Sequence, residues 1–297
     1  MSDSTPRLSL GTAQWGTRYG ITNAKGELSD TDVADIVAAA LARGVRDADT
    51  HRTTNPQQGY GRAQSRLRPW AGEFAVTTKV FGGAAADLPV GEQLAESLGD
   101  LGDLGVAQVH ACLVHDWYDL SDEEANAVAN GLREAKQSGM VARVGISAYE
   151  SRDLERACEI FGADLGAVQV PTSVLDQRLV GSGAVDLLRS MGTEIQVRSI
   201  FLQGLLLEPT STAQLAQHPD VQGFHRRCTE GGVTPLDASL SFVRSFDWVD
   251  VVVVGVTSAA ELTQIADSWA APTVGDDWQA CGSGDLELLD PRRWARP

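Results

Sequence analysis

The chain of 297 residues has a formal net charge of −16, from 24 lysines and arginines against 40 aspartates and glutamates. A nucleic-acid partner is not expected, because phosphate neutralisation requires a basic face. The sequence contains no apolar run of about 18 residues and does not begin like a secretory signal, so we expect no membrane association and a cytoplasmic location.

The four cysteines are far apart in the chain and form no Cys-x-x-Cys pair. They are Cys112, Cys158, Cys228 and Cys281. Neither a disulfide framework nor a zinc site has this spacing. We therefore expect reduced thiols and no metal site.

Short apolar segments alternate along the chain with longer segments of helical spacing. The predicted strands are 8–12, 45–50, 74–80, 106–115, 142–147, 167–171, 194–200 and 249–256. The predicted helices are 29–41, 61–69, 90–101, 121–139, 150–161, 183–191, 212–228, 235–246 and 258–269. Ser29 and Ser121 each precede an acidic residue at capping-box spacing and so mark helix starts.

This alternation predicts a parallel sheet with helices outside it, and about eight repeats fit a closed (β/α)8 TIM barrel. We expect one domain over 1–297, with 270–297 as a C-terminal tail that packs on the barrel without regular structure. An open, doubly wound sheet is the alternative. It is disfavoured because Gly11, after the first strand, does not open a Gly-x-Gly-x-x-Gly turn.

Chemically useful side chains stand at the carboxyl ends of three successive predicted strands. Asp49 ends the second strand, Lys79 the third and His115 the fourth. Active sites of α/β barrels lie at this edge, so the three side chains should converge on one pocket. A carboxylate beside a lysine keeps both charged and can shift the pKa of a neighbouring group.

The last strand leads through Gly255 into a helix that begins near Ser258. Ser258 and Glu261 have capping-box spacing. A helix start preceded by glycine presents free N–H groups and the positive end of the helix dipole. This turn is therefore a candidate phosphate site.

Eight segments, taken in chain order, carry a family resemblance. They are 10–16, Asp49-Thr50, Thr78-Lys79, His115, 144–147, Val168-Gln169, 198–206 and 255–262. Together they resemble the aldo-keto reductases along nearly the whole chain. The resemblance implies a barrel enzyme that transfers hydride between NADPH or NADH and a small-molecule carbonyl or alcohol substrate.

The resemblance also implies roles for individual residues. In the family's scheme a tyrosine donates the proton, Asp49 and Lys79 adjust its acidity, and His115 orients the carbonyl. Ser147 and Gln169 would hold the nicotinamide amide, with Arg198 against the ring. The implied cofactor-binding set is Gly11, Thr12, Ser147, Gln169, Arg198, Ser199, Gly204, Leu205, Gly255, Thr257, Ser258 and Glu261.

The sequence departs from the family at the tyrosine, since the matching position is Thr54. A threonine hydroxyl is not an acid near neutral pH, whereas a lysine can lower the pKa of a phenol. Three residues could replace the tyrosine, and His115 is one of them. Tyr60 is a candidate for a displaced acid, and His51, where the family has alanine, is a candidate donor near neutral pH.

The cofactor positions depart as well. Ala148 stands where the family has an asparagine, and no lysine or arginine follows Gly255 at the positions that would pair with a 2′-phosphate. The choice between NADPH and NADH stays open. So do two other functions: non-redox elimination or isomerisation of a carbonyl compound by Lys79 and a histidine, and a non-catalytic binding role. The sequence carries no signal for a particular substrate or oligomeric state.

Overall fold

The computed structural model describes residues 5–52, 60–102, 106–211, 213–275 and 277–294. The strands in these ranges are β1 (Arg7–Gly11), β2 (Asp47–Asp49), β3 (Ala75–Val80), β4 (Val109–Val114), β5 (Val141–Ser147), β6 (Leu165–Pro171), β7 (Glu194–Arg198) and β8 (Val251–Gly255). Each strand pairs in parallel with the next, and β8 pairs with β1. The sheet is a closed barrel, which confirms the predicted fold.

Helices connect successive strands on the outside of the barrel, and in the described ranges two more follow the last strand. They are α1 (Asp30–Ala42), α2 (Ala63–Leu67), α3 (Val90–Leu101), α4 (Asp122–Gln137), α5 (Ser151–Phe161), α6 (Gly183–Met191), α7 (Pro219–Gly231), α8 (Pro235–Arg244), α9 (Ala259–Ala270) and α10 (Leu286–Leu289). Two helices, α7 and α8, separate β7 from β8, as the sequence predicts.

The predicted helix starts at Ser29 and Ser121 are confirmed as capping boxes. The Ser29 hydroxyl accepts the Asp32 N–H at 3.1 Å, and the Asp32 carboxylate accepts the Ser29 N–H at 3.1 Å. Ser121 and Glu124 make the same reciprocal pair at 3.3 and 2.8 Å. Each box satisfies backbone donors that the first turn of a helix leaves free.

Two predicted helices are shorter in the structure. The helix expected over 61–69 is regular only over α2, and a 3-10 helix follows at Arg68–Glu73. Pro69 lacks the N–H that a continuing α-helix would use. Likewise, α7 begins only at Pro219, where proline suits a first helical turn and the His218 ring accepts the Asp220 N–H at 3.2 Å.

The expectation that the tail lacks regular structure is wrong. It contains a 3-10 helix at Trp278–Cys281, then α10, then a 3-10 turn at Pro291–Arg293. Trp278, Leu288 and Leu289 are buried, and the Ser283 N–H donates to the Leu175 carbonyl at 2.8 Å. Burial of these apolar side chains supplies a driving force that local sequence pattern does not show.

A glycine controls how β5 and β6 meet. A Cβ at Gly145 would lie 1.6 Å from the Ala167 carbonyl oxygen, and the strand register shifts at this point. Only glycine permits so close a backbone approach. Beyond the shift, Ser147 and Gln169 stand opposite each other at the carboxyl edge of the barrel.

Other global features concern the described ranges alone. None of the helices there combines the length and the apolar composition needed to cross a bilayer. The same ranges contain no cluster of three or more His, Cys, Asp or Glu side chains placed to hold a metal ion. Cys112 and Cys158 are free thiols, and burial raises the pKa of the Cys112 thiol to about 12.

Candidate active site

A buried ion pair lies at the carboxyl edge of the barrel, between β2 and β3. The Lys79 ammonium donates to Asp49 Oδ1 at 2.6 Å and to the Thr50 carbonyl at 3.3 Å, and both charged residues are only 2% exposed. Burial lowers the pKa of Lys79, while the Asp49 charge and hydrogen bond oppose that shift. The pair is a fixed electrostatic element of the site.

A second group of hydrogen bonds fixes Asp49 from the other side. Gln169 Nε2 donates to Asp49 Oδ1 at 2.8 Å and to Gln196 Oε1 at 3.1 Å. The Thr12 hydroxyl donates to the Asp49 carbonyl at 3.1 Å. Asp49 is therefore held by residues of β3, β6 and the turn after β1, which restricts its movement.

Tyr60 stands next to this ion pair. Lys79 Nζ lies 5.1 Å from the centre of the Tyr60 ring, and the Tyr60 and His51 ring centres are 5.8 Å apart. Burial, followed by the nearby Asp49 charge, raises the pKa of Tyr60 well above its usual value. The phenol is therefore neutral at physiological pH and retains its proton.

Close backbone packing determines where Tyr60 lies. A Cβ at Gly16 would lie 2.0 Å from the Tyr60 carbonyl oxygen, and one at Gly61 would lie 2.5 Å from the Gly16 carbonyl oxygen. Gly61 also has a φ of +53°, a conformation that favours glycine. These two glycines bring the Tyr60 segment against the turn that follows β1.

Two histidines and a phenylalanine form an aromatic cluster beside Lys79. The His51 ring centre is 4.8 Å from that of His115 and 4.9 Å from that of Phe81. Burial first, and the Lys79 charge after it, lower the pKa of His115 to about 3. Burial, with His115 and Lys79, also holds the pKa of His51 well below its usual value. Both imidazoles are therefore neutral at physiological pH.

The histidines retain unused hydrogen-bonding capacity. Both His51 ring nitrogens and His115 Nδ1 are buried and lack a partner in the described part of the protein. Buried polar atoms usually have partners, and exceptions often occur at functional sites. A ligand that presents a polar atom here would therefore complete the arrangement.

A cavity of about 600 Å³ opens above the ion pair. It extends from Asp49 and Tyr60 to Thr257 and Gln264, at the start of α9. The predicted cofactor residues that line it are Gly11, Gln169, Arg198, Ser199, Gly204, Gly255, Thr257 and Glu261. The cavity therefore connects most of that set with the ion pair.

Four predicted cofactor residues do not line the cavity. Thr12 faces the Asp49 backbone, and Leu205 is fully buried in the core. Ser147 is buried at the end of β5, and Ser258 caps α9 by accepting the Glu261 N–H at 3.2 Å. The predicted acid position Thr54 lies outside the described residues.

The middle of the cavity is bordered by an unusual backbone segment after β7. Ser199, Leu202 and Gln203 have positive φ values of 60°, 47° and 53°. Non-glycine residues in this region are strained by about 1 kcal/mol or more, and such strain concentrates at ligand sites. Gly204, with a φ of 94°, continues the segment, which favours a binding role for this loop.

Several cavity features were not predicted from strand ends. Arg198 stacks on Tyr149 with its guanidinium carbon 4.4 Å from the ring centre, and Arg292 of the tail covers the same ring at 3.9 Å. Tyr19, in the loop after β1, lies 6.2 Å from Tyr60 between ring centres. In the sequence, the glycines of that loop, Gly16 and Gly20, were the signal that another segment could pack closely against it.

Comparison with known proteins agrees with the barrel fold. The profile described as Aldo/keto reductase family matches residues 7–284, and the chain belongs to this family. An aldo-keto reductase from Mycolicibacterium vanbaalenii is 31% identical over 130 residues, covering 44% of this chain and 45% of that protein. One from Mycolicibacterium smegmatis is 30% identical over 130 residues, covering 44% of each. The matched part of the chain thus spans less than half the length of these relatives.

A solved structure extends the comparison to the whole fold. A protein from Pseudomonas aeruginosa named as an aldo-keto reductase superposes on this chain with a TM-score of 0.64. The match covers 91% of each chain, at 20% sequence identity. At that identity the likeness concerns the fold. The barrel architecture is therefore common to both proteins.

Proposed function

We propose that the protein is a nicotinamide-dependent reductase of a small carbonyl compound, in which Tyr60 is the proton donor. The observation that carries this proposal is the position of the Tyr60 ring, 5.1 Å from Lys79 Nζ, at one end of a long cavity. An aldo-keto reductase needs an acid at this point, and Tyr60 is a phenol beside the required Asp49–Lys79 pair.

The residues of the cavity fit a dinucleotide. Gln169 and Arg198 at one end offer amide and guanidinium groups for a nicotinamide, and the strained loop after β7 borders the centre. Leu236 and Ile265 at the other end supply apolar surface for an adenine. A volume of about 600 Å³ is within the usual range for cofactor sites.

When bound, the cofactor supplies the hydride that reduces the carbonyl carbon. Tyr60 donates its phenolic proton to the carbonyl oxygen, and its raised pKa keeps that proton in place until negative charge develops. Lys79 stabilises the phenolate that remains, while Asp49 holds the ammonium in position. His51 and His115 are not among the residues that line the cavity, but their ring nitrogens without partners could hydrogen-bond a carbonyl that enters beside Lys79.

The electrostatics favour Tyr60 over a histidine as the acid. A cationic imidazole would have to exist close to Lys79 in a buried setting, and the lowered pKa of both histidines opposes that. Phe81 packs against both rings and limits access of water to them. His51 therefore enters the proposal as a hydrogen-bond donor and not as the acid.

Replacement of Tyr60 by phenylalanine tests the proposal. We expect Tyr60→Phe to lower the rate of aldehyde reduction by about a hundredfold to ten-thousandfold, because the proton donor is lost. Binding of the nicotinamide cofactor should persist, since the ring remains. Consumption of NADH or NADPH with p-nitrobenzaldehyde measures the first effect, and tryptophan fluorescence during cofactor titration measures the second.

Tyr19→Phe is the matched control, because Tyr19 lines the same cavity but makes no ring contact with Lys79. We expect its rate to change by less than about tenfold. A large loss in Tyr19→Phe with little loss in Tyr60→Phe would assign the proton to the other phenol. Failure of the wild-type protein to bind either cofactor would overturn the reductase proposal.

A further inference from the structure

We propose that this site selects NADH over NADPH, and that Glu261 is the residue that makes the selection. The inference rests on the proposed function, because it concerns the cofactor of that reaction. It follows from the charges and contacts at the end of the cavity opposite Tyr60.

The residues that line the cavity indicate which part of a dinucleotide reaches Glu261. With the nicotinamide beside Asp49 and Tyr60, the other end of an extended dinucleotide must lie near Thr257 and Gln264. Leu236 and Ile265 form the apolar surface there. The adenosine ribose, whose 2′ position distinguishes the two cofactors, therefore lies close to the start of α9.

Glu261 already accepts two hydrogen bonds from Thr257, the residue before the cap of that helix. Its Oε2 accepts the Thr257 N–H at 2.7 Å, and its Oε1 accepts the Thr257 hydroxyl at 2.8 Å. A phosphate at this turn would use the same donors. The Glu261 carboxylate already binds the Thr257 N–H and hydroxyl. A 2′-phosphate there would lack these hydrogen bonds and would be repelled by the negative charge of Glu261.

The charged residues that line the cavity also favour NADH over NADPH. Among the described residues that line it, the cations are Lys25 and Arg198, against the anions Asp49, Glu208 and Glu261. Arg198 belongs to the end near Tyr60, where it stacks on Tyr149. Lys25 lies near Thr257, since its ammonium donates to the Thr257 carbonyl at 3.2 Å.

Lys25 is already engaged with a carboxylate. Its Nζ lies 2.6 Å from Asp32 Oδ1, and this exposed ion pair offsets part of its charge. A 2′-phosphate adds a charge of about −1.5 to −2 and would face Glu261, and the one cation near Thr257 among the described lining residues is Lys25, which is already paired. A ribose hydroxyl instead donates a hydrogen bond, and a carboxylate oxygen can accept more than one.

Calorimetric titration of the full chain with NADH and with NADPH tests this inference without measuring activity. We expect the Kd for NADH to be lower than that for NADPH by about tenfold or more at low salt, because two anions repel each other at short range. The ratio should shrink as salt is added, since ions screen that repulsion.

Substitution of Glu261 identifies the residue responsible. In Glu261→Gln we expect tighter NADPH binding, with the two Kd values coming to within about threefold of each other as the like charge is removed. Glu261→Lys should bind NADPH more tightly than NADH. Glu155→Gln is the matched control, because Glu155 is exposed on α5 and does not line the cavity. The ratio of its Kd for NADPH to its Kd for NADH should equal that of the wild type.

The outcomes separate the two proposals. Equal or tighter binding of NADPH by the wild type overturns the inference and leaves the reductase proposal intact. Binding of neither cofactor overturns the reductase proposal itself. Equal weakening of both cofactors in Glu261→Gln and in Glu261→Lys, with an unchanged thermal midpoint, would mean that Glu261 does not discriminate between them.

Discussion

At the scale of single residues, burial decides what the ionisable groups near Lys79 can do. His51 is fully buried, with Phe81 on one side and His115 on another. Its imidazole is therefore kept neutral, although a histidine in water titrates near pH 6.5. A residue type that suggests an acid near neutral pH becomes, in this setting, a hydrogen-bond donor.

The same burial predicts a pH dependence of stability. The pKa of His51 is lowered in the folded protein from an ordinary value of 6.5, so below that pH the unfolded chain binds a proton that the folded chain does not. The free energy of unfolding should fall as the pH drops below about 6.5. Because His51→Phe removes this proton uptake, the free energy of unfolding of that variant should fall less steeply with decreasing pH than that of the wild type. Urea unfolding at a series of pH values, followed by fluorescence, measures the slope.

Phe81→Leu serves as the control for that measurement. It changes the packing 4.9 Å from the His51 ring centre but removes no titrating group. Its slope below pH 6.5 should equal that of the wild type. Equal slopes for His51→Phe and the wild type would contradict the neutral assignment of His51 in the fold.

At the scale of elements, glycines allow the backbones of distant segments to pack closely. The Gly16 and Gly61 backbones touch, and this contact sets the position of Tyr60. Gly145 does the same for β5 and β6. Predicted strand ends agree with the structure within a few residues because apolar runs reflect local burial, whereas these contacts depend on segments that are distant in the chain.

Gly16→Ala tests the first contact. The added Cβ would lie 2.0 Å from the Tyr60 carbonyl oxygen, so the Tyr60 segment must move. We expect a loss of about 1–3 kcal/mol in the free energy of unfolding, and a loss of about tenfold or more in reductase rate as Tyr60 leaves Lys79. Urea unfolding and the aldehyde assay measure these effects.

Gly99→Ala is the matched control, since a Cβ there meets no atom within 4 Å and Gly99 is exposed within α3. It should raise the free energy of unfolding by about 0.5–1 kcal/mol, because alanine favours helix over glycine. An unchanged stability and rate in Gly16→Ala would show that the contact does not determine the position of Tyr60.

At the scale of the whole molecule, a line of hydrogen bonds runs through the barrel interior from Asp49, at the carboxyl end of β2, to Glu194, at the amino end of β7. Gln169 joins Asp49 to Gln196, and Gln196 Nε2 donates to Glu194 Oε1 at 2.9 Å. His110 lies 3.1 Å from Glu194. Burial opposes ionisation of Glu194, but these hydrogen bonds lower its pKa to about 2. The polar line is thus anchored by a charge.

Gln196→Leu should break this line. It leaves Gln169, Glu194 and Thr77 without the partner that Gln196 provides inside the barrel. We expect a loss of about 1–3 kcal/mol in the free energy of unfolding, the usual cost of buried polar groups without partners. Urea unfolding midpoints give the measurement.

Gln108→Leu provides the comparison, because the Gln108 amide makes one exposed hydrogen bond to the Gly139 carbonyl. Its effect should remain within about 0.5 kcal/mol. If both variants lost the same free energy, the polar line would contribute nothing beyond an ordinary surface contact.

The sequence by itself determined the barrel, the helix starts at Ser29 and Ser121, and the strand-end placement of Asp49 and Lys79. These follow from apolar periodicity, capping and strand ends, all of which are properties of neighbouring residues. It left the proton donor open among His51, His115 and Tyr60, and the cofactor open between NADPH and NADH.

Only the tertiary structure decided which groups meet. The contact of Tyr60 with Lys79 and the lowered pKa of His51 depend on packing and burial that no local pattern encodes. Desolvation and short-range electrostatics act between side chains that the fold brings close, whatever their separation in the chain. For that reason the structure, and not the sequence, supports Tyr60 as the acid and NADH as the cofactor.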